Sequence, residues 1–254
     1  MSENNVYIPS HALDSFAHAL YAERLPEIGT RNPVFMVGID INKAKPQYSN
    51  ASLKAIHFIR GEEKNKAFEV KTKPKTIQAA LQQLKEYARK PFGGNRELVT
   101  FEIKGPKIVN GKMSQEKITT GKIVVGRTEK GPFISVVHWN DRYPHIAFYP
   151  GLHEEDSVVN PSDDPERAYN YVCASALGWV ETTSKLLTSE FARLQNKAFD
   201  QLRAQQPQGG GSYGGGSSSG GSYGGNNNNS NSSNNYAQQQ TVTRTESSGD
   251  GFNF

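Results

Sequence analysis

The sequence predicts an α+β fold of antiparallel β-meander sheets. A short helix follows the first meander, a long helix follows the second, and a disordered tail ends the chain. Three observations predict it. Seven short apolar or alternating segments lie between Pro33 and Pro150. Two stretches repeat apolar residues at helical spacing, one after the third of these segments and one after the seventh. The last 48 residues hold 12 of the 24 glycines and almost no large aliphatic side chain. The apolar fraction of 35% is low for a globular chain, and the deficit is confined to that tail. The expected organisation is therefore one α+β domain over residues 1–206 and a tail over 207–254.

The elements follow in order. Leu13, Phe16, Ala17, Leu20 and Tyr21 fall on one helical face, with Ser10 as N-cap, so a first helix is expected over 11–25. Phe35, Val37, Ile39 and Ile41 alternate in PVFMVGIDIN, as in a strand with one buried side. ASLKAIHFIR and KAFEVKTK supply two more strands; Phe68 and Val70 point one way and Glu69, Lys71 and Lys73 the other. Ile77, Ala80, Leu81, Leu84 and Ala88 then mark a helix, ended by Pro91 and the Gly93-Gly94 pair. ELVTFEIKG, EKITTGKIVVGR, GPFISVVHW and PHIAFYP form the second group of strands. Turns are expected at Gly105-Pro106, Asn110-Gly111, Gly131-Pro132 and Asp141-Arg142. Asp163 or Asp164 caps a last helix, with Pro165 in its first turn. Its stripe, from Val172 through Trp179, Val180, Thr183, Leu187, Leu194 and Ala198 to Leu202, is close to period 3.5. A helix of that length would outrun a small core, so a homo-oligomer through residues 165–203 is expected.

The tail is Gly, Ser, Asn and Gln with widely spaced tyrosines, too polar to offset its ordering entropy. It ends in an acidic, aromatic tip: Asp250, Phe252 and Phe254. Cys173 is the single cysteine, so no disulfide framework is expected and the thiol reads as packed and inert. No run of 18 apolar residues and no basic-then-apolar leader is present. A cytoplasmic protein is expected, with no membrane partner.

Charge carries the functional signal. The net charge of +4 conceals a segment, 43–130, with twenty basic and eight acidic residues. Concentrated on one surface, that excess attracts a polyanion. Lys71, Lys73 and Lys75 lie on or just past the third strand. Lys104, Lys107, Lys112, Lys117, Lys122, Arg127 and Lys130 cluster in the second sheet and its turns. Lysine outnumbers arginine there, which favours tracking of phosphates over bidentate reading of bases. Trp139, Tyr143 and Tyr149 lie near turns among polar residues, where rings can stack on bases. Phe68 and Phe101 sit on apolar faces and read as core.

Catalytic patterns are absent. There is no glycine-rich nucleotide fingerprint, no zinc-protease helix, no Cys pair and no nucleophile elbow. His138, His145 and His153 match no closed zinc spacing. No enzyme, metal or cofactor is expected.

The basic β-rich core joined to the QPQGGGSYGGG…GDGFNF tail resembles phage single-stranded DNA-binding proteins. More specifically it resembles the Drc-type cofactors of phage RNA polymerases. That resemblance implies single-stranded DNA binding, oligomerisation and recruitment of a phage RNA polymerase or of replication proteins, here through the tip. A more distant likeness is to Whirly and Pur-type proteins, in which each strand meander is followed by a helix; an OB-like barrel is the other architecture considered. The expected function is non-enzymatic, largely sequence-independent single-stranded DNA binding in phage transcription or DNA replication. The alternatives are an RNA-binding protein, or an oligomeric scaffold whose basic surface is incidental.

Overall fold

The computed structural model describes residues 10–24, 31–57, 66–109, 112–138, 145–153, 163–205 and 242–245. Two meanders, each followed by a helix, account for most of them. Strands β1 (Leu20–Tyr21), β2 (Val34–Asp40), β3 (Asn50–His57) and β4 (Lys66–Thr72) pair antiparallel in chain order and lead into α1 (Pro74–Tyr87). Strands β5 (Glu97–Val109), β6 (Lys112–Thr128) and β7 (Gly131–His138) form the second sheet and precede α2 (Pro165–Gln205). Its order is β7-β6-β5, with β8 (Val242–Thr245) added at the β5 edge. Among the described residues neither sheet closes on itself, so the arrangement is two open meanders and not an OB-like barrel.

The pleat explains the core. In the first sheet, register aligns Phe35 with Ala55 and Phe68, and Val37 with Leu53 and Val70. In the second, Val99 and Phe101 align with Val125 and Ile123, and these with Ile134 and Val136. Both inner faces meet in one core with Ile77, Leu81 and Leu84 of α1 and Val180 and Leu187 of α2. Phe35 sits inside it, 5.3 Å from the Phe148 ring and 6.2 Å from Trp179. Where the sheets cross, Gly121 is required, because a Cβ there would lie 2.6 Å from Val70 Cγ2.

Several expectations are corrected. The helix expected over 11–25 is two 3-10 turns, Ala12–Asp14 and Phe16–His18, followed by β1. Leu20 and Tyr21 reach more burial by pairing with Phe35 and Val34 than a solvated helix would provide. The strand expected at 144–150 is reduced to a single bridge, Phe148 to Ile134, between two prolines that cannot donate to a ladder. Gly105-Pro106 is no turn. β5 runs through it, and the register shifts there absorb the missing N–H of Pro106. The β6–β7 turn is Glu129-Lys130, closed by Thr128 opposite Gly131, whose φ of +126° and contact with Val172 exclude a side chain. Asn110, Gly111, Asp141 and Arg142 lie outside the described residues.

Helix α2 starts as expected: the Arg167 N–H donates to Asp164 Oδ1 at 2.9 Å. Its 41 residues span about 60 Å. Most of its stripe is buried within the chain itself. Val172 packs on Leu98, Val124 and Phe133 of the second sheet, Val180 and Leu187 enter the central core, and Leu194 and Ala198 cover Ile41, the first residue past β2. No helix of the described residues is long and apolar enough to cross a membrane. Of the tail, only β8 is described. It contains the tail's sole valine and lies in its one run of threonines, the residues that favour extended backbone.

Candidate nucleic-acid interface

The second sheet builds the main basic feature. β7 pairs only with residues 121–128 of β6. Beyond that point, among the described residues, β5 and β6 pair with each other alone, so residues 104–109 and 112–119 continue as a two-stranded arm about 20 Å long. Register decides which lysines share a face. Glu102 opposes Lys122, Lys104 opposes Thr119 and Pro106 opposes Lys117, which puts Lys104, Lys117 and Lys122 on the outer face. That face changes character along its length. Leu98, Val124, Phe133 and Val137 are apolar and covered by Tyr149, Leu152 and Val172. From Glu102 and Lys122 outward the same face is polar and the cover stops. Glu102 lies 3.9 Å from Lys122, a partly exposed pair of small worth.

Lys107 is also on the arm and pairs with Glu116 at 2.9 Å. Lys112 belongs to β6, but its side chain lies outside what the structure describes. The arm exposes two apolar side chains, Val109 and Ile118.

The other predicted lysines are not on this face. Lys71 lies on the outer face of the first sheet, which looks away from the second because the two sheets share a core. There Lys71 Nζ is 2.9 Å from Asp40 and 3.8 Å from Glu69, and Lys54 is 3.3 Å from Glu69. The hydrogen bond to Asp40 raises the Lys71 pKa against the opposing effect of burial. Lys73 is the N-cap residue of α1, its Nζ donating to the Ser49 carbonyl at 3.2 Å, and Lys75 is exposed in the first turn. That turn holds no acidic residue, so both cations sit uncompensated at the positive end of the helix dipole. Lys130 is exposed at the opposite end of β6 from the arm.

Two predicted contacts are structural. Arg127 is 7% exposed. Its Nη1 donates to the Pro91 carbonyl at 3.2 Å and to Tyr169 Oη at 3.3 Å, and its Nε forms an ion pair with Glu97 at 3.1 Å. Tyr169 in turn donates to the Lys90 carbonyl. The guanidinium therefore ties the loop after α1 to β6 and α2, where no strand of nucleic acid reaches it. Tyr149 is equally buried, packs on Phe133 at 5.6 Å, and bonds Thr128 Oγ1 at 3.0 Å. Its ring has no open face for a base.

Trp139 and Tyr143 lie outside the described residues, as do the tip residues Asp250, Phe252 and Phe254. Phe101 is buried and Phe68 is partly buried against the core, in line with their apolar positions. Two exposed aromatics were missed as site residues, Phe92 at 39% and, more open still, Tyr48 at 58%. For Tyr48 the signal was present in the run KAKPQY between two strands, where basic and aromatic residues interleave.

Among the described residues no three His, Cys, Asp or Glu side chains converge as metal ligands. Cys173 is buried, and burial raises its thiol pKa despite the Tyr169 hydroxyl beside it. No family model, curated protein or solved structure matches the chain.

Proposed function

We propose that the chain is a non-enzymatic, largely sequence-independent single-stranded DNA-binding protein of a phage, acting as a polymerase cofactor in transcription or in DNA replication. One observation carries the reading. The β5–β6 register gathers Lys104 and Lys117 of the arm, which extends past its sheet, with Lys122 at its base on one face that no described residue covers. Lysines at alternate positions suit a flexible phosphate backbone, and they offer no bidentate fork for base edges. The acidic, aromatic tail tip supports recruitment of a partner protein.

The test is fluorescence anisotropy with a labelled single strand, the matching duplex and the matching RNA over a range of salt. The expected result is preference for single-stranded DNA with a steep salt dependence. Changing Lys104, Lys117 and Lys122 together to Gln should reduce the slope of log K against log salt by about 2, since each phosphate contact to a single strand contributes about 0.7. An unchanged slope removes the arm from the interface. Equal affinity for RNA makes the protein a general single-strand binder. Binding to none of the three overturns the reading.

A further inference from the structure

The β2–β3 loop, residues 41–49, is unusually well held for a surface loop. Asn42 Oδ1 accepts from the Ala44 N–H at 3.1 Å and the Lys45 N–H at 2.9 Å. The Asn42 N–H donates to Ser49 Oγ at 3.0 Å. Gln195 of α2 donates to the Pro46 carbonyl at 2.7 Å, and Lys73 holds the Ser49 carbonyl. Pro46 opens a 3-10 turn that ends at Tyr48, and Ile41 anchors the loop's first residue under Leu194 and Ala198. The backbone is thus fixed from three sides.

What this frame displays is basic and aromatic. Lys43, Lys45 and Tyr48 are all exposed, and Tyr48 is the most exposed large apolar or aromatic side chain of the described residues. No acidic residue occurs from Ile41 to Asn50, and the nearest in sequence, Asp40, is engaged by Lys71. A ring that covers no part of its own core contributes little to folding, while a fixed ring flanked by cations meets a base with little ordering entropy left to lose.

We propose that this loop is a second contact for single-stranded nucleic acid, in which Tyr48 stacks on a base and Lys43 and Lys45 hold adjacent phosphates. The proposal rests on the single-strand reading above and adds a site the arm does not include. The loop and the arm's base lie at the same end of β4. Lys73, just past that strand, bonds Ser49, and Val70 within it packs on Gly121 where the arm begins. A strand passing between them would meet Lys73 and Lys75 on the way.

The experiment uses the full chain with Tyr48→Ala and Tyr48→Phe. The probes are a labelled oligothymidylate and a strand of equal length whose sugars carry no bases. Tyr48→Ala should weaken oligothymidylate binding about tenfold, within the range for one stacked base, and Tyr48→Phe should bind as wild type. On the base-free strand all three proteins should bind alike. If Tyr48→Ala binds oligothymidylate like wild type, or is weakened equally on both strands, the stacking contact is wrong while the arm reading stands. If the wild-type chain binds neither strand, both fail together.

Discussion

Replacing Arg127 with Ala separates a structural arginine from a nucleic-acid contact. The side chain is 7% exposed, donates to the Pro91 carbonyl and Tyr169 Oη, and pairs with Glu97. Removing it leaves the Pro91 carbonyl without this donor and opens a void between β6 and α2. Tyr169 retains the Lys90 carbonyl, and Glu97 retains the Lys90 ammonium. Two hydrogen bonds from a charged donor contribute roughly 1.5–3 kcal/mol each, and breaking a buried ion pair costs about 3–5 kcal/mol. Because Glu97 keeps a cation, the lower end applies, about 3 kcal/mol. For a folded unit of this size that lowers Tm by roughly 6–12 °C. Thermal unfolding by circular dichroism measures the loss, and the salt slope of single-strand binding, taken well below the midpoint, should stay at the wild-type value. Arg127→Lys keeps the charge and loses the fork, so it too should be destabilised with its slope intact. A variant that keeps Tm within 2 °C of wild type and loses salt-dependent affinity would refute the structural assignment.

Two further outcomes are expected. His57 is 6% exposed, lies edge-on to Phe68 at 5.1 Å, and burial lowers its pKa to about 4. The folded chain then binds fewer protons than the unfolded one between about pH 4 and 6.5. Stability is full above that pH and declines by about 3 kcal/mol as pH falls from 6.5 to 4. Burial also lowers the pKa of His11 and His153, which adds to the same acid limb. Urea titrations across this range measure the slope, and His57→Phe should flatten it; an equally steep limb in that variant would assign the loss elsewhere. Truncation after Gln206 removes β8 and uncovers the β5 edge between Leu98 and Phe101. Amide exchange in a peptide covering that edge should accelerate while β3 is unchanged, and no acceleration would mean that β8 does not protect the edge in solution.

Much of the fold was legible in residue order. Period-2 alternation located β2 to β7, and helical spacing with Pro74, Asp164 and Pro165 located α1 and α2. These signals are local, because they arise from the pleat and the helical turn. β1 was not legible, since two residues carry no period and Leu20 and Tyr21 become a strand only by pairing with β2. The arm was hidden by Gly105-Pro106, a turn signal that a register shift in β6 overrode.

The site divides the same way. Its chemistry, an excess of lysine on strands and few acids, was set by composition alone. Its grouping was not. Which lysines share a face follows from inter-strand register, where a slip of one residue moves a side chain to the other side of the sheet. Whether a cation is available follows from what covers it: Arg127, on the inner face of β6, is buried against Pro91, Glu97 and Tyr169, whereas Lys122, on the outer face, lies past the cover formed by Tyr149, Leu152 and Val172. The sequence by itself determined strands, helices and the sign of the charge, because these depend on neighbours in the chain. Only tertiary structure decided which charges face solvent together, because that depends on residues tens of positions away.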